Sequence, residues 1–456
     1  MGVVPGALDT ARQPPMTVPL RHFLVGLGFL LVGLLVGLGV VLGAIAGFAA
    51  LSHVHLFLAG WVCLTIMGAM TQFVPVWSGT SLHSRRLSTL QLWLVTVGLL
   101  GFAASLLGGH LSWLPAFGGA MLLGFWTFVY NIGRTLWTLP SYDVTERHFG
   151  LALGFFLLVT TLGFLLAVDL VHPLFGSLPV SRASVVGSHA TLAVFGAVLT
   201  TVLGALYQLA TMFTQTELHG IDLPLRRFEE VAYPAGVVLV AVGRLIDVAV
   251  LARVGGVLVV SSLLGFGVIL GRRLYEAQVD WTPMLSRYAV VVPAMVLWAA
   301  LALPVWLTEP LARNTVFGAP GTAHLLLMGV VGFVVLGTLY HIIPFVVWVH
   351  RYSDLLGYEA VPMIDDLYDD RIADVDFVLL AGGTTTLVAA DLLSLPSIAP
   401  ALGGIFVLAG ALLFLINIVW VVRKHSPHSL AGVLFDTFQA EQDSSSDESI
   451  ESADAR

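Results

Sequence analysis

Four histidines carry the chemistry this sequence could perform: His53 and His55 in HVHLFLAGW, His189 in SHATLAVF and His324 in GTAHLLLM. A neutral imidazole offers one lone pair and one N–H, so each can ligate a metal, move a proton or hydrogen-bond a backbone carbonyl. Each stands near the head of a long apolar stretch, where a polar ring is costly unless it faces protein or a bound group. Cys63 is the only cysteine, which leaves no disulfide framework and no thiolate metal site. A metal here has to use histidine. His53 and His55 are two residues apart, about 200° around a helix, so they cannot share one target.

The elements that position these rings are membrane spans. The chain has 456 residues, 57 % hydrophobic and only 11 % charged, with a mean hydropathy of +0.93. That composition excludes a water-soluble domain and indicates an all-α polytopic membrane protein. Twelve windows are long enough to cross the bilayer, at 22–50, 54–77, 87–109, 111–133, 149–171, 188–213, 231–250, 254–271, 288–307, 321–349, 375–395 and 399–422. Residues 1–21 lack an apolar core ending in a small-residue cleavage site and read as a cytoplasmic leader. Residues 425–456 are acidic and serine-rich, the pattern of a disordered cytoplasmic tail. With the N-terminus in the cytoplasm, every basic residue except Arg182, Arg244, Arg253 and Arg313 falls on the inner side, as the positive-inside rule expects. The expected location is the cell membrane, with both termini cytoplasmic and the four histidines at the outer ends of the second, sixth and tenth spans.

Those three spans are copies of one pattern. GAMTQFVP, GALYQLAT and GTLYHIIP align Gly60 with Gly196 and Gly329, Gly68 with Gly204 and Gly337, and Gln72 with Gln208 and His341. Each repeat holds four spans (about 22–133, 149–271 and 288–422 within a membrane domain of 22–424), so successive repeats enter the membrane in the same sense. The expected architecture is three pseudo-threefold arcs of four helices. In this register His53 matches His189 and Thr322, while His55 matches Thr191 and His324. Two pairings are open. If the upper position faces the following arc, His189 meets His324 and the other two are alone. If it faces the preceding arc, His53 meets His324 and His55 meets His189, leaving Thr191 and Thr322 facing each other across an empty third pore. The second pairs every histidine and is preferred. Opposed imidazoles are what axial ligation of an iron porphyrin requires.

HVHLFLAGWVCLTIMGAMTQFVP resembles the histidine-bearing tenth helix of subunit I of the heme-copper oxidases, particularly the cbb-type enzymes. SHATLAVFGAVLTTVLGALYQL and GTAHLLLMGVVGFVVLGTLYHIIPF are similar to the second and sixth helices of that family and of its nitric oxide reductase branch. The resemblance implies the three-arc fold and one or two b-type hemes. Read in sequential order or rotated by one arc it implies the same two pairs; in the rotated reading it gives His55 and His189 the low-spin heme and His53 the other, with His324 where a copper ligand stands in the oxidases. No HH pair occurs anywhere in this sequence, so a three-histidine copper site cannot be built and copper is not expected. FVPVWSG resembles the NnrS family of twelve-span heme membrane proteins linked to nitric oxide tolerance. The expected function is heme-based electron transfer or chemistry on dioxygen or nitric oxide, by an oxidoreductase of the oxidase or nitric oxide reductase type. The alternatives are an NnrS-like nitric oxide response protein and a non-heme transporter or heme carrier. Expected partners are membrane lipid and an electron source: a redox subunit, a cupredoxin or a quinol. Nucleic acid is not expected.

Heme propionates at that depth need cations, and Arg182, Arg244, Arg253 and Arg313 are the outer candidates; Arg244 and Asp247 can instead satisfy each other. Tyr340 with His341 is a candidate proton or quinol route, against a capping role. Asp169 and Asp391 read as interfacial, and His110 and His172 as loop residues. The polar segment 349–376 reads as a solvated amphipathic helix.

Overall fold

The computed structural model describes residues 14–393 and 395–435; most of the leader and of the acidic tail lies outside them. The described residues form helices and no strand, and eleven of the helices are long and apolar enough to cross a membrane. Numbered in chain order, the long helices are α1 (Thr17–Val41), α2 (Ala49–Ser78), α3 (Arg85–Leu107), α4 (Leu114–Leu136), α5 (Val144–Asp169), α6 (Arg182–Thr214), α7 (Asp222–Leu245), α8 (Ala249–Tyr275), α9 (Pro283–Thr308), α10 (Leu325–Leu355), α11 (Asp370–Leu392) and α12 (Ile398–His425). A short helix, α13 (Leu430–Phe435), follows. Helix α7 is the one outside the eleven, because Asp222, Arg226, Arg227, Glu229 and Glu230 crowd its first half. It stops at Leu245, inside the expected window 231–250, and Asp247 turns the chain with a positive φ of 56° before α8 begins.

Helix starts follow local chemistry. Ser84, Thr282 and Asp369 each accept a backbone N–H at the first turns of α3, α9 and α11, and Asp143 makes a reciprocal capping box with Glu146 at the start of α5. The segment 349–376 is not one amphipathic helix. Its ends belong to α10 and α11, and between Tyr352 and Asp370 lie two short 3₁₀ turns, Ser353–Leu355 and Ile364–Leu367, joined by irregular chain. Trp348 Nε1 ties it down by donating to Pro362 O at 2.7 Å, and Asn417 Nδ2 donates to Asp369 O at 2.8 Å. Pro362 and the acidic spacing deny it a helical run.

Helices α2, α6 and α10 form the centre. In their most apolar windows 78 %, 83 % and 83 % of residues are buried, whereas no other span exceeds 56 %. Each contains a π-helical segment, Leu56–Val62, Leu192–Val198 and Leu325–Gly332. Their starts differ by 136 and 133 residues, the same offsets that align the glycines. A cavity of about 70 Å³ lies among the three, lined by residues in that register, including Thr65, Thr201 and Val334, and Phe73, Leu209 and Ile342. Around the centre, α3 packs on α4, α7 on α8, and α11 on α12. Small residues let these backbones approach: a Cβ on Gly98 would stand 2.8 Å from Met121 N, on Gly236 2.8 Å from Gly255 O, and on Gly383 2.8 Å from Gly403 O.

Candidate functional site

The π segments begin one residue after His55 and His324 and three residues after His53 and His189. π turns inside α-helices recur at functional sites because they widen the helix and re-aim the residues beside them. They also free backbone groups that need partners: Phe195 O, within the second segment, accepts the hydroxyl of Tyr233 at 2.6 Å.

All four imidazoles are held through the same ring atom. His53 Nδ1 lies 2.7 Å from Gly33 O on α1, His55 Nδ1 2.9 Å from Leu51 O one turn back, and His189 Nδ1 3.0 Å from Val159 O on α5. His324 Nδ1 lies 2.6 Å from Oδ2 of Asp391 on α11. Every acceptor is a carbonyl or carboxylate, so each Nδ1 carries the proton and donates it, and each Nε2 keeps its lone pair. Among the described residues no group hydrogen-bonds any of these four Nε2 atoms. Outer hydrogen bonds of this kind fix the tautomer and rotamer of metal-ligating histidines.

The rings of His55 and His189 are brought together, with centroids 6.5 Å apart and planes inclined by 17°. A direct hydrogen bond between the two rings would hold them closer. His53 and His324 lie within electrostatic reach of each other. Space for two of the rings is made by glycine: a Cβ on Gly37 would stand 2.6 Å from His53 Nδ1, and one on Gly163 2.9 Å from His189 Cε1. Among the described residues no three histidine, cysteine or acidic side chains gather at a point that could hold a bare metal ion.

The third equivalent position is not empty. Arg244 from α7 donates to Thr191 Oγ1 (2.7 Å), Pro310 O (3.1 Å), Val316 O (3.1 Å) and Thr315 O (3.2 Å). Its guanidinium lies 5.3 Å from the ring centre of Trp306, and Trp298 and Phe195 complete the plug. Thr322 Oγ1 bonds Ala319 O at 2.7 Å and Phe317 O at 3.3 Å. Two threonines without side-chain bulk suggested an open pore; the neighbouring helices supply that bulk.

Three of the four arginines expected at the outer face are already engaged. Arg182 pairs with Asp169 at 2.6 Å, Arg253 donates to Leu307 O at 2.9 Å, and Arg313 sits exposed in the turn Arg313–Thr315. Arg244 and Asp247 do not pair with each other, because Asp247 accepts from Ser184 at 3.1 Å. His341 lies against Phe213, with ring centres 4.2 Å apart, while Tyr340 turns to Asp376. Asp391 is the residue that sequence reasoning passed over. An acidic residue at an outer helix end looks interfacial, and only the packing of α11 against α10 aims it at His324.

No family model matches the sequence, and a comparison with curated proteins finds no match. The fold is that of a multi-pass all-α membrane protein, with four histidines anchored through Nδ1 at one end of its central helices.

Proposed function

We propose that the chain is a twelve-span heme protein of the cell membrane, built as three arcs of four helices, that transfers electrons or acts on dioxygen or nitric oxide. His55 and His189 would hold the iron of one b-type heme, and His53 and His324 would stand at a second. The observation that carries this reading is the common anchoring of the four rings: Nδ1 held, Nε2 free, and two rings 6.5 Å apart and nearly parallel. Heme supplies a one-electron redox centre and, where a coordination position is open, a place for a diatomic gas. The residues of this chain orient the ligand rings, exclude water with their apolar neighbours, and tune donor strength through the partner of each Nδ1.

In this reading both termini are cytoplasmic and the histidines lie toward the outer face, within reach of a redox subunit, a cupredoxin or a quinol as electron source. Arg313 is the outer arginine with a guanidinium exposed for a propionate, since Arg182, Arg244 and Arg253 are spent on protein groups. The test is optical spectroscopy of protein purified in detergent. The expected result is a Soret band with a sharp reduced α band, lost from the bis-imidazole species in His55→Ala and His189→Ala. Carbon monoxide binding then reports an open coordination position. A purified protein with no Soret band overturns the proposal and leaves a non-heme transporter or heme carrier as the reading to pursue.

A further inference from the structure

The threefold repeat offers an internal comparison at the opposite end of the bundle. His22 on α1, His148 on α5 and Arg287 on α9 occupy equivalent places. His22 Nδ1 bonds Val18 O (2.8 Å), His148 Nδ1 bonds Val144 O (2.7 Å) and Arg287 Nη1 bonds Pro283 O (2.7 Å), in each case four residues back. Each passes beneath a glycine of the central helix, where a Cβ on Gly68, Gly204 or Gly337 would stand 2.7, 2.4 or 3.1 Å from the Cβ of that residue. Each then reaches a buried side chain on the third helix of its repeat. His22 Nε2 lies 3.5 Å from Gln91 Nε2, His148 Nε2 lies 3.2 Å from Glu229 Oε1, and Arg287 pairs with Asp376.

The three pairs share geometry and differ in what they can titrate. Arg287 stays protonated at any accessible pH, so with the Asp376 carboxylate it forms a neutral ion pair without needing a further proton. Gln91 cannot ionise, so His22 and Gln91 are neutral as well. His148 and Glu229, whose side chains are only 2 % and 0 % exposed, reach the same neutrality only by holding one proton between them. An uncompensated charge at such a depth is expensive.

We propose that His148 and Glu229 form a proton-binding site, the member of the threefold set that is neutral only while two titratable side chains share a proton. The bound proton lies between His148 Nε2 and Glu229 Oε1. On release the N–H bond breaks, the proton passes to water, and a neutral imidazole and a carboxylate remain, with Nδ1–H still on Val144 O. Tyr207 on α6 donates to Glu229 Oε2 at 2.9 Å and holds the carboxylate in both states. On α7 the flanking groups are Glu230, Arg226 and Tyr233. Glu230 pairs with Arg147 of α5 at 2.7 Å and with Arg226 at 3.3 Å, while Tyr233 donates to Phe195 O, away from the dyad. Glu146 of α5 is turned to Ser78 and the Asp143 cap. Arg147 is 47 % exposed, which places a solvent-facing rim one side chain from the dyad.

The repeat also supplies the test variants, because Glu229→Gln recreates the His–Gln pair of the first arc and His148→Arg the Arg–carboxylate pair of the third. Apparent melting temperature in detergent is followed from about pH 5 to about pH 9. Wild type is expected to lose stability as rising pH strips the proton, with the unfolding equilibrium changing about tenfold per pH unit for one proton. Both variants are expected to lose that component. Infrared pH-difference spectra of wild type should show one carboxyl or imidazole signal over the same range, shifted by Tyr207→Phe. Variants that keep the wild-type pH profile, or a wild-type infrared spectrum with no such signal, overturn the proposal, and the infrared arm decides even if a variant does not fold.

Discussion

Asp391 Oδ2 stands 2.6 Å from His324 Nδ1, which makes His324 the one ring of the four anchored by a carboxylate; carbonyls hold His53, His55 and His189. A carboxylate accepts a stronger hydrogen bond than a carbonyl and pushes electron density toward Nε2. His324 is therefore the strongest donor of the set. Asp391→Asn is expected to weaken ligand binding at the His53–His324 pair by roughly 10- to 100-fold and to raise the midpoint potential there. The His55–His189 species should keep its spectrum. Spectroelectrochemical titration of both species checks this, and equal shifts in the two would show that Asp391 acts on overall packing instead.

Gly37 and Gly163 are equivalent positions on α1 and α5, and each faces a histidine ring too closely for a Cβ, at 2.6 Å for His53 Nδ1 and 2.9 Å for His189 Cε1. Alanine at either should push one ring off its carbonyl, at a cost of roughly 1–3 kcal/mol. Gly37→Ala should perturb only the His53–His324 species and Gly163→Ala only the His55–His189 species. The measurement is the absorption spectrum of each variant beside its melting temperature.

The periodicity of this sequence made the central helices and their histidines legible. The glycine triples Gly60, Gly196, Gly329 and Gly68, Gly204, Gly337 exist because Phe29, Phe155 and Ala294, then His22, His148 and Arg287, cross the helix there. A backbone approach that allows no Cβ leaves a glycine in every copy. The π segments were not legible, since LFLAGWV, LAVFGAV and LLLMGVVG carry no signature distinguishing a π turn from an apolar α turn. Asp391, Glu229 and Asp376 were missed for a different reason. Their partners sit on helices far away in sequence, and the outer helices repeat with spacings unlike those of the central ones.

Arg244 fills the third equivalent position with one guanidinium serving three carbonyls and Thr191. Arg244→Met removes the donors and strands buried acceptors, each worth roughly 1–3 kcal/mol. The expected outcome is a clear fall in melting temperature with the spectra of both histidine pairs unchanged. A selective loss of one spectral species instead would make Arg244 a propionate partner, against the geometry of its hydrogen bonds.

At the opposite end, Glu276, just past the last residue of α8, ties that end of the helix to the chain leading into α7. His219 Nε2 lies 2.8 Å away, and Arg272 and Arg273 donate at 3.1 and 2.7 Å. The hydrogen bond from His219, with the two arginines, holds the Glu276 carboxyl down to about 2, from an ordinary 4.5. A carboxylate depressed on folding stabilises the fold above its unfolded value, and that contribution fades as pH falls from about 4.5 toward about 2. Acidification through this window should loosen the chain around His219 and Asp222, which Arg272 and Arg273 also clamp at 2.9 and 3.0 Å. Limited acid proteolysis between α6 and α7 reads the loosening directly. Glu276→Gln should show it already at neutral pH and lose the further change on acidification, whereas a variant with an unaltered acid profile would assign the transition to other carboxylates.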